Sequence, residues 1–86
     1  MPQISCFFGI IIAMYFDDHN PPHFHAKYGE FEALISINDF SVIQGSIPSR
    51  ALGMVIEWAS LHQNELLINW KNAVENKSLK TIEPLK

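Results

Sequence analysis

The sequence predicts an α+β fold, in which an antiparallel meander of three or four strands precedes a long or broken C-terminal α-helix packed on one face of the sheet. Two observations support this fold class. Apolar side chains alternate with a period of two in the segments between residues 23 and 44, and from Ser49 onward they recur every three or four residues. With 86 residues and no internal linker, the chain has the size of one domain covering residues 1–86.

The composition is apolar and poor in charge. Hydrophobic residues make up 48% of the chain, and Asp, Glu, Lys and Arg together make up 17%, against about 25% in an average soluble domain. This composition excludes a disordered chain. The net charge of -3 argues against direct nucleic-acid binding, because that function needs a basic face.

Cysteine usage and hydropathy favour a cytoplasmic protein that does not enter a membrane. Cys6 is the one cysteine of the chain, so no internal disulfide can form, whereas small secreted domains usually have several. The apolar stretch 4–16 is 13 residues long, shorter than the roughly 20 residues that a membrane-spanning helix needs. No Lys or Arg precedes it, so it does not resemble a signal peptide either.

The first predicted strand covers residues 9–16. Ile10, Ile11 and Ile12 favour β structure, and the nearly continuous apolar run indicates that both faces of this strand are covered. The loop 17–22 follows, because its two prolines remove backbone donors and end regular structure.

Residues 23–28 and 31–37 are predicted to form a hairpin. Gly29 and Glu30, which lie between them, form a typical two-residue turn. In the register that this turn sets, the cross-strand pairs are Tyr28 with Phe31, Lys27 with Glu32, and His25 with Leu34. The pair of opposite charges supports this register.

The sequence predicts two further strands. Residues 40–44 follow a turn at Asn38 and Asp39, and Val42 continues the apolar face of the meander. Residues 79–82, close to the end of the chain, fit a short C-terminal edge strand.

The helical pattern starts after Pro48, a residue that suits the first turn of a helix, and reaches about residue 76. One helix of this length would be roughly 40 Å long. The chain therefore forms either one long helix or two helices with a break near residues 62–64, with Asn64 as the cap of the second. Gly53, which lowers helix propensity, is expected to mark close packing against the sheet.

Three of the four histidines lie within seven residues and form the main candidate site. His23 and His25 project from the same face of an extended strand, so two imidazoles can reach one metal ion. His19 and the loop carboxylates Asp17 and Asp18 would supply a third ligand and leave an open position, as in catalytic zinc sites. A divalent metal such as zinc fits this set of ligands.

The same histidines have two other interpretations. His23 and His25 would serve as acid and base in phosphodiester cleavage, since histidine titrates near neutral pH. The chain would then be a small hydrolase or ribonuclease, with or without a metal. Alternatively, they are polar residues on the solvent face of a hairpin. We expect His62, which lies in the apolar helical stripe, to bond a carbonyl or a carboxylate instead of joining the cluster.

These residues also carry a family resemblance. The stretch 14–25 reads Met-Tyr-Phe-Asp-Asp-His-Asn-Pro-Pro-His-Phe-His, and with Glu57-Trp58-Ala59 and the closing residues 82–85 it resembles the bacterial family called domain of unknown function 4160. The resemblance implies a small bacterial protein without an assigned activity, encoded beside a protein of the domain of unknown function 2442 type in a toxin–antitoxin-like pair. Cys6 and Ala13 replace the larger or basic residues of related chains, which weakens an RNA-facing role for the first strand.

We therefore expect a protein-interaction module whose partner is the neighbouring gene product or a second copy in a homo-oligomer. With a helix on one face of the sheet, Ile11, Leu34 and Ile43 have no evident cover on the other face, which also carries His23 and His25. An uncovered apolar patch usually marks a partner surface.

Overall fold

The computed structural model describes residues 3–16 and 19–86. Within these ranges the chain forms one five-stranded antiparallel sheet with strands in sequence order, followed by two helices, which confirms the α+β fold. The strands are β1 (Gln3–Phe7), β2 (Ile10–Ala13), β3 (His23–Tyr28), β4 (Phe31–Ser36) and β5 (Val42–Ser46), and the helices are α1 (Ser49–Leu61) and α2 (Gln63–Val74).

The apolar N-terminal run forms a hairpin of two strands, so the sequence-based prediction of one strand over 9–16 is wrong. Phe8 and Gly9 have φ angles of 49° and 79° and make a two-residue turn between β1 and β2. Consecutive left-handed residues are typical of the tight turns that match the twist of a hairpin. A bulge in the β1–β2 pairing helps to bury both Ile4 and Ser5, and this hides the alternation that would have identified β1.

The central hairpin confirms the predicted strands and register. Tyr28 pairs with Phe31, Lys27 with Glu32, and His25 with Leu34. β5 is displaced from the predicted residues 40–44, because the turn after β4 extends to Ser41, whose amide donates to the carboxylate of Asp39 at 3.1 Å. This contact lowers the pKa of Asp39.

The helices cover one face of the sheet, which we call the inner face. Trp58 of α1 is fully buried there, with its ring centroid 5.4 Å from that of Phe7 and 5.9 Å from that of Phe24. These contacts join β1, β3 and α1 in one core. No helix within residues 3–16 and 19–86 is both long enough and apolar enough to cross a membrane.

The helical segment is broken at His62, as the second of the two alternatives predicted. His62 has φ -126° and ψ 24°, outside the helical region, and it ends α1 and precedes α2. The predicted cap at Asn64 is wrong, because Asn64 lies inside α2. Gln63 donates from its side chain to the carbonyl of Ile37 at 2.8 Å, which attaches the start of α2 to the residue that follows β4.

The C-terminal residues 77–86 form an extended segment with no helix or strand, so the predicted edge strand at 79–82 is wrong. The amide of Ile82 donates to the carbonyl of Ile4 at 2.8 Å, a single backbone bond to the edge of β1. Asn69, which is 1% exposed, donates to the carbonyl of Lys80 at 2.8 Å and accepts from its amide at 3.0 Å. Side-chain bonds of this kind replace the strand ladder.

Two glycine positions are expected to respond oppositely to Ala. At Gly45, φ is 78° and a Cβ would collide with the carbonyl oxygen of Glu32, so Gly45→Ala should lower the free energy of unfolding by about 2 kcal/mol or more. A Cβ at Gly53 would meet no neighbouring group within 4 Å, so this glycine does not mark close packing as the sequence suggested. Gly53→Ala should therefore raise the free energy of unfolding by roughly 0.5–1 kcal/mol. Urea denaturation measures both, and a loss for Gly53→Ala would contradict this packing.

The attachment of the C-terminal segment is tested at Asn69. Asn69→Ala leaves the amide and carbonyl of Lys80 without their side-chain partner, and we expect a loss of about 1–3 kcal/mol in urea denaturation. Asn64→Ala, in the same helix, is the control and should change stability by less than about 0.5 kcal/mol. A loss near 1 kcal/mol for Asn64→Ala would restore its predicted role as a helix cap.

Candidate functional site

The candidate residues lie on the face of the sheet opposite the helices, which we call the outer face. The strand register aligns side chains of the same face in two rows across the sheet. One row contains Ala13, His25, Leu34 and Gln44, and the other contains Cys6, Ile11, Lys27, Glu32 and Ser46. His23 and Ser36 form a further pair at the end of this face where β3 begins.

Tyr15 lies over β3 on this face. Its ring meets the ring of His25 edge-on, with centroids 4.5 Å apart, and its hydroxyl accepts a hydrogen bond of 2.7 Å from Nζ of Lys27. That bond favours the ammonium form and is the main reason why the pKa of Lys27 is raised, with a smaller contribution from the charge of Glu32. Tyr15 therefore connects the histidine to the lysine of the same strand.

His25 is oriented by a carboxylate. Its Nδ1 donates to Oε2 of Glu32 at 2.9 Å. Leu34 lies directly opposite His25 on β4, so Glu32 is the diagonal neighbour of His25 on that strand. The side chain of His25 is 12% exposed and that of Glu32 is 45% exposed, so the pair lies at the protein surface with the histidine partly covered. A histidine held by a carboxylate in this way has a defined tautomer, as a general base requires.

His23 is buried, contrary to the interpretation that places both histidines on a solvent face. Its Nδ1 donates to the carbonyl of Pro21 at 2.8 Å, and its ring centroid lies 5.2 Å from that of Trp70 in α2. The centroids of His23 and His25 are 5.5 Å apart. The structure thus brings these two predicted residues together, in different environments.

The metal hypothesis extends beyond the described residues. Asp17 and Asp18 lie outside them, and His19 is exposed. Within residues 3–16 and 19–86, no three side chains of His, Cys, Asp or Glu are arranged to hold a metal ion. Nδ1 of both His23 and His25 bonds to protein oxygen. The metal set stays a prediction.

His62 lies at the junction of the helices, half-buried. Its Nδ1 donates to the carboxylate of Glu65 at 2.6 Å, and its ring centroid is 5.7 Å from that of Trp58. This agrees with the expectation that His62 bonds a carboxylate.

Three members of the outer-face network were not predicted as site residues: Tyr15, Lys27 and Glu32. The signal for Tyr15 is the alternation that continues from Ile11 and Ala13 and assigns it to the histidine-bearing face. The signal for the charged pair is its cross-strand position, which the sequence reasoning used only to set the register.

The two edges of the sheet differ in how they are covered. β1 is approached by the C-terminal segment through the bond from Ile82 to Ile4. All five residues of β5 are exposed, including Val42 at 40% and Ile43 at 43%, and β5 is the last strand of the sheet in the described part of the chain. Of the predicted uncovered patch, Ile11 and Leu34 are half-buried and Ile43 is exposed.

Comparison with known proteins identifies a family for this chain. A family model described as "Domain of unknown function (DUF4160)" matches residues 9–71, a range that contains the histidine segment, β5 and α1. No curated protein and no solved structure matches the chain.

The contact between Tyr15 and Lys27 is tested by titration. Tyr15→Phe removes the oxygen that stabilises the ammonium group, so the pKa of Lys27 should fall towards its ordinary value. Side-chain NMR of Lys27 as a function of pH measures this shift. Tyr28→Phe, which removes the other tyrosine hydroxyl of the chain, should leave the titration unchanged, and an equal shift in both variants would argue against the contact.

Proposed function

We propose that this chain, which belongs to the DUF4160 family, is a protein-interaction module and one half of a bacterial two-gene pair of the toxin–antitoxin type. The observation that carries the proposal is the exposed edge of β5. An edge strand presents backbone N–H and C=O groups that can pair with a strand of another protein. Natural proteins usually protect such an edge with charged residues, proline or a bulge; β5 contains no charged residue and no proline, and one bulge at Ile43 interrupts its pairing with β4.

The exposed groups of β5 indicate what kind of partner segment would bind there. Backbone hydrogen bonds would hold an extended strand against β5, and the exposed side chains of Val42 and Ile43 would contact apolar residues of that strand. The partner that follows from the family resemblance is the product of the neighbouring gene, of the domain of unknown function 2442 type. The low charge of the chain supports a protein partner over a nucleic acid.

Co-expression with the neighbouring gene product tests this proposal. We expect a stable complex in affinity purification, and binding at least tenfold weaker for the double variant Val42→Lys, Ile43→Lys, because two lysines cannot be buried against an apolar strand without cost. The double variant Ile68→Lys, Val74→Lys is the matched control, since these residues are 55% and 57% exposed on α2.

Two results would contradict the proposal. One is the absence of a complex with the unaltered chain at concentrations where both proteins are folded. The other is an equal loss of binding in the β5 and α2 variants, which would indicate a general effect of added charge.

A second candidate function, a small histidine-dependent hydrolase or ribonuclease, is supported by the Glu32–His25 hydrogen bond. In phosphodiester cleavage, His25 would remove the proton from the attacking hydroxyl while Glu32 holds the ring, and Lys27 would attract the anionic phosphate. His23 would act as the acid that protonates the leaving oxygen. Zinc bound through His23 and His25, with His19, Asp17 or Asp18, would supply a Lewis acid in the metal-dependent form of this proposal.

Cleavage of a fluorogenic RNA oligonucleotide, with and without EDTA or added zinc, tests this candidate. Removing a general base lowers a rate by about 100-fold or more, so His25→Ala should abolish most of any activity while the thermal melt stays unchanged. Glu30→Gln, which removes a carboxylate in the exposed turn, is a control variant and should retain full activity. Lack of cleavage by the unaltered chain, or a collapsed melt in His25→Ala, would contradict the catalytic role.

A further inference from the structure

We infer that β5 pairs with β5 of a second copy of this chain, antiparallel and about a two-fold axis, to form a continuous ten-stranded sheet. This inference rests on the proposed interaction function and concerns the chain in the absence of its partner, because a second copy and the neighbouring gene product would compete for the same β5 edge. It requires that β5 be compatible with itself, that the pairing have a defined register, and that assembly stop at two copies.

The charge distribution makes β5 compatible with itself. In a two-fold pairing every charged residue near the axis would lie close to its own copy, which is destabilising for like charges on opposed strands. Residues 40–49 contain no Asp, Glu, Lys or Arg, although the whole chain carries a net charge of -3. β5 is therefore an edge where two copies can meet without repulsion between strand residues.

The middle residue of β5 sets the register. A two-fold axis at the middle residue of Val42–Ser46 places Gln44 opposite its own copy and brings Ile43 close to Gly45 of the second copy. The amide of Gln44 has both donors and acceptors, so two copies can bond each other. Gly45 has no side chain and leaves room for the isoleucine of the second copy.

The other edge of the sheet limits assembly to a dimer. Pairing of β5 with β5 uses the same surface on both copies, so each copy has no further β5 edge to offer. The β1 edge is approached by the C-terminal segment through Ile82. A bulge at Ile43, between the pairs Ile35–Val42 and Leu34–Gln44, adds local twist and shortens the regular stretch available to a second strand. We therefore expect a weak, reversible dimer and no fibre.

Disulfide trapping tests the register directly. Opposed residues of an antiparallel pair have Cα atoms about 4.5–5.5 Å apart, within the range that a disulfide bridges. In a Cys6→Ser background, Gln44→Cys should form a covalent dimer at least tenfold faster under mild oxidation than Ile68→Cys, an exposed control on α2. Equal rates for the two variants would overturn the inference.

Sedimentation over a concentration series tests the dimer without oxidation. The unaltered chain should pass from monomer to dimer, and Gln44→Lys should raise the dissociation constant at least tenfold, because two lysines then face each other across the axis. Ile68→Lys is the control and should leave the constant unchanged. A chain that stays monomeric throughout overturns the inference.

The same samples separate this inference from the proposed function. A monomeric chain that still binds the neighbouring gene product through β5 overturns the homodimer and leaves the interaction module intact. A dimer that resists Gln44→Lys overturns β5 as the contact. A chain that neither dimerises nor binds the neighbouring product overturns both proposals.

Discussion

Because both helices lie on one face of the five-stranded sheet, its other face and its two edges are left to other segments of the chain or to partners. This constraint explains the remaining segments of the structure. The inner face is buried by α1 and α2 around Trp58, which contacts Phe7 and Phe24. The indole N–H of Trp58 also donates to the carbonyl of Glu83 at 2.8 Å. The central core residue thus holds the C-terminal segment, and that segment approaches the β1 edge.

In the part of the chain that the structure describes, no helix lies on the outer face, where polar side chains contact one another. Tyr15, Lys27, His25 and Glu32 form a surface network in which each polar group has a defined neighbour. Where β3 begins, the ring of Trp70 contacts the ring of His23 and shields it from solvent. Side chains that order one another in this way are pre-positioned for acid–base chemistry. The catalytic candidate therefore depends on the outer face, whereas the interaction proposal depends on the exposed edge of β5.

Much of the fold was predictable from local pattern. The turn at Gly29 and Glu30 and the pairing of Lys27 with Glu32 are encoded within a few neighbouring residues, so the central hairpin was predicted with its register. The hairpin at Phe8 was missed because the bulge near Ile4 buries consecutive residues and removes the period of two. The end of the chain was misassigned because its attachment depends on Asn69 and Trp58, which are distant in sequence.

The sequence by itself determined the fold class and the shared face of His23 and His25, because hydrophobic period and strand alternation are local properties. It predicted the helical break near His62 as one of two alternatives. Only the tertiary structure decided that His23 is buried against Trp70 while His25 is held at the surface by Glu32 and Tyr15. It also decided which sheet edge is covered. These outcomes depend on the packing of segments that are far apart in the chain, and the local hydrophobic period of a sequence does not specify such packing.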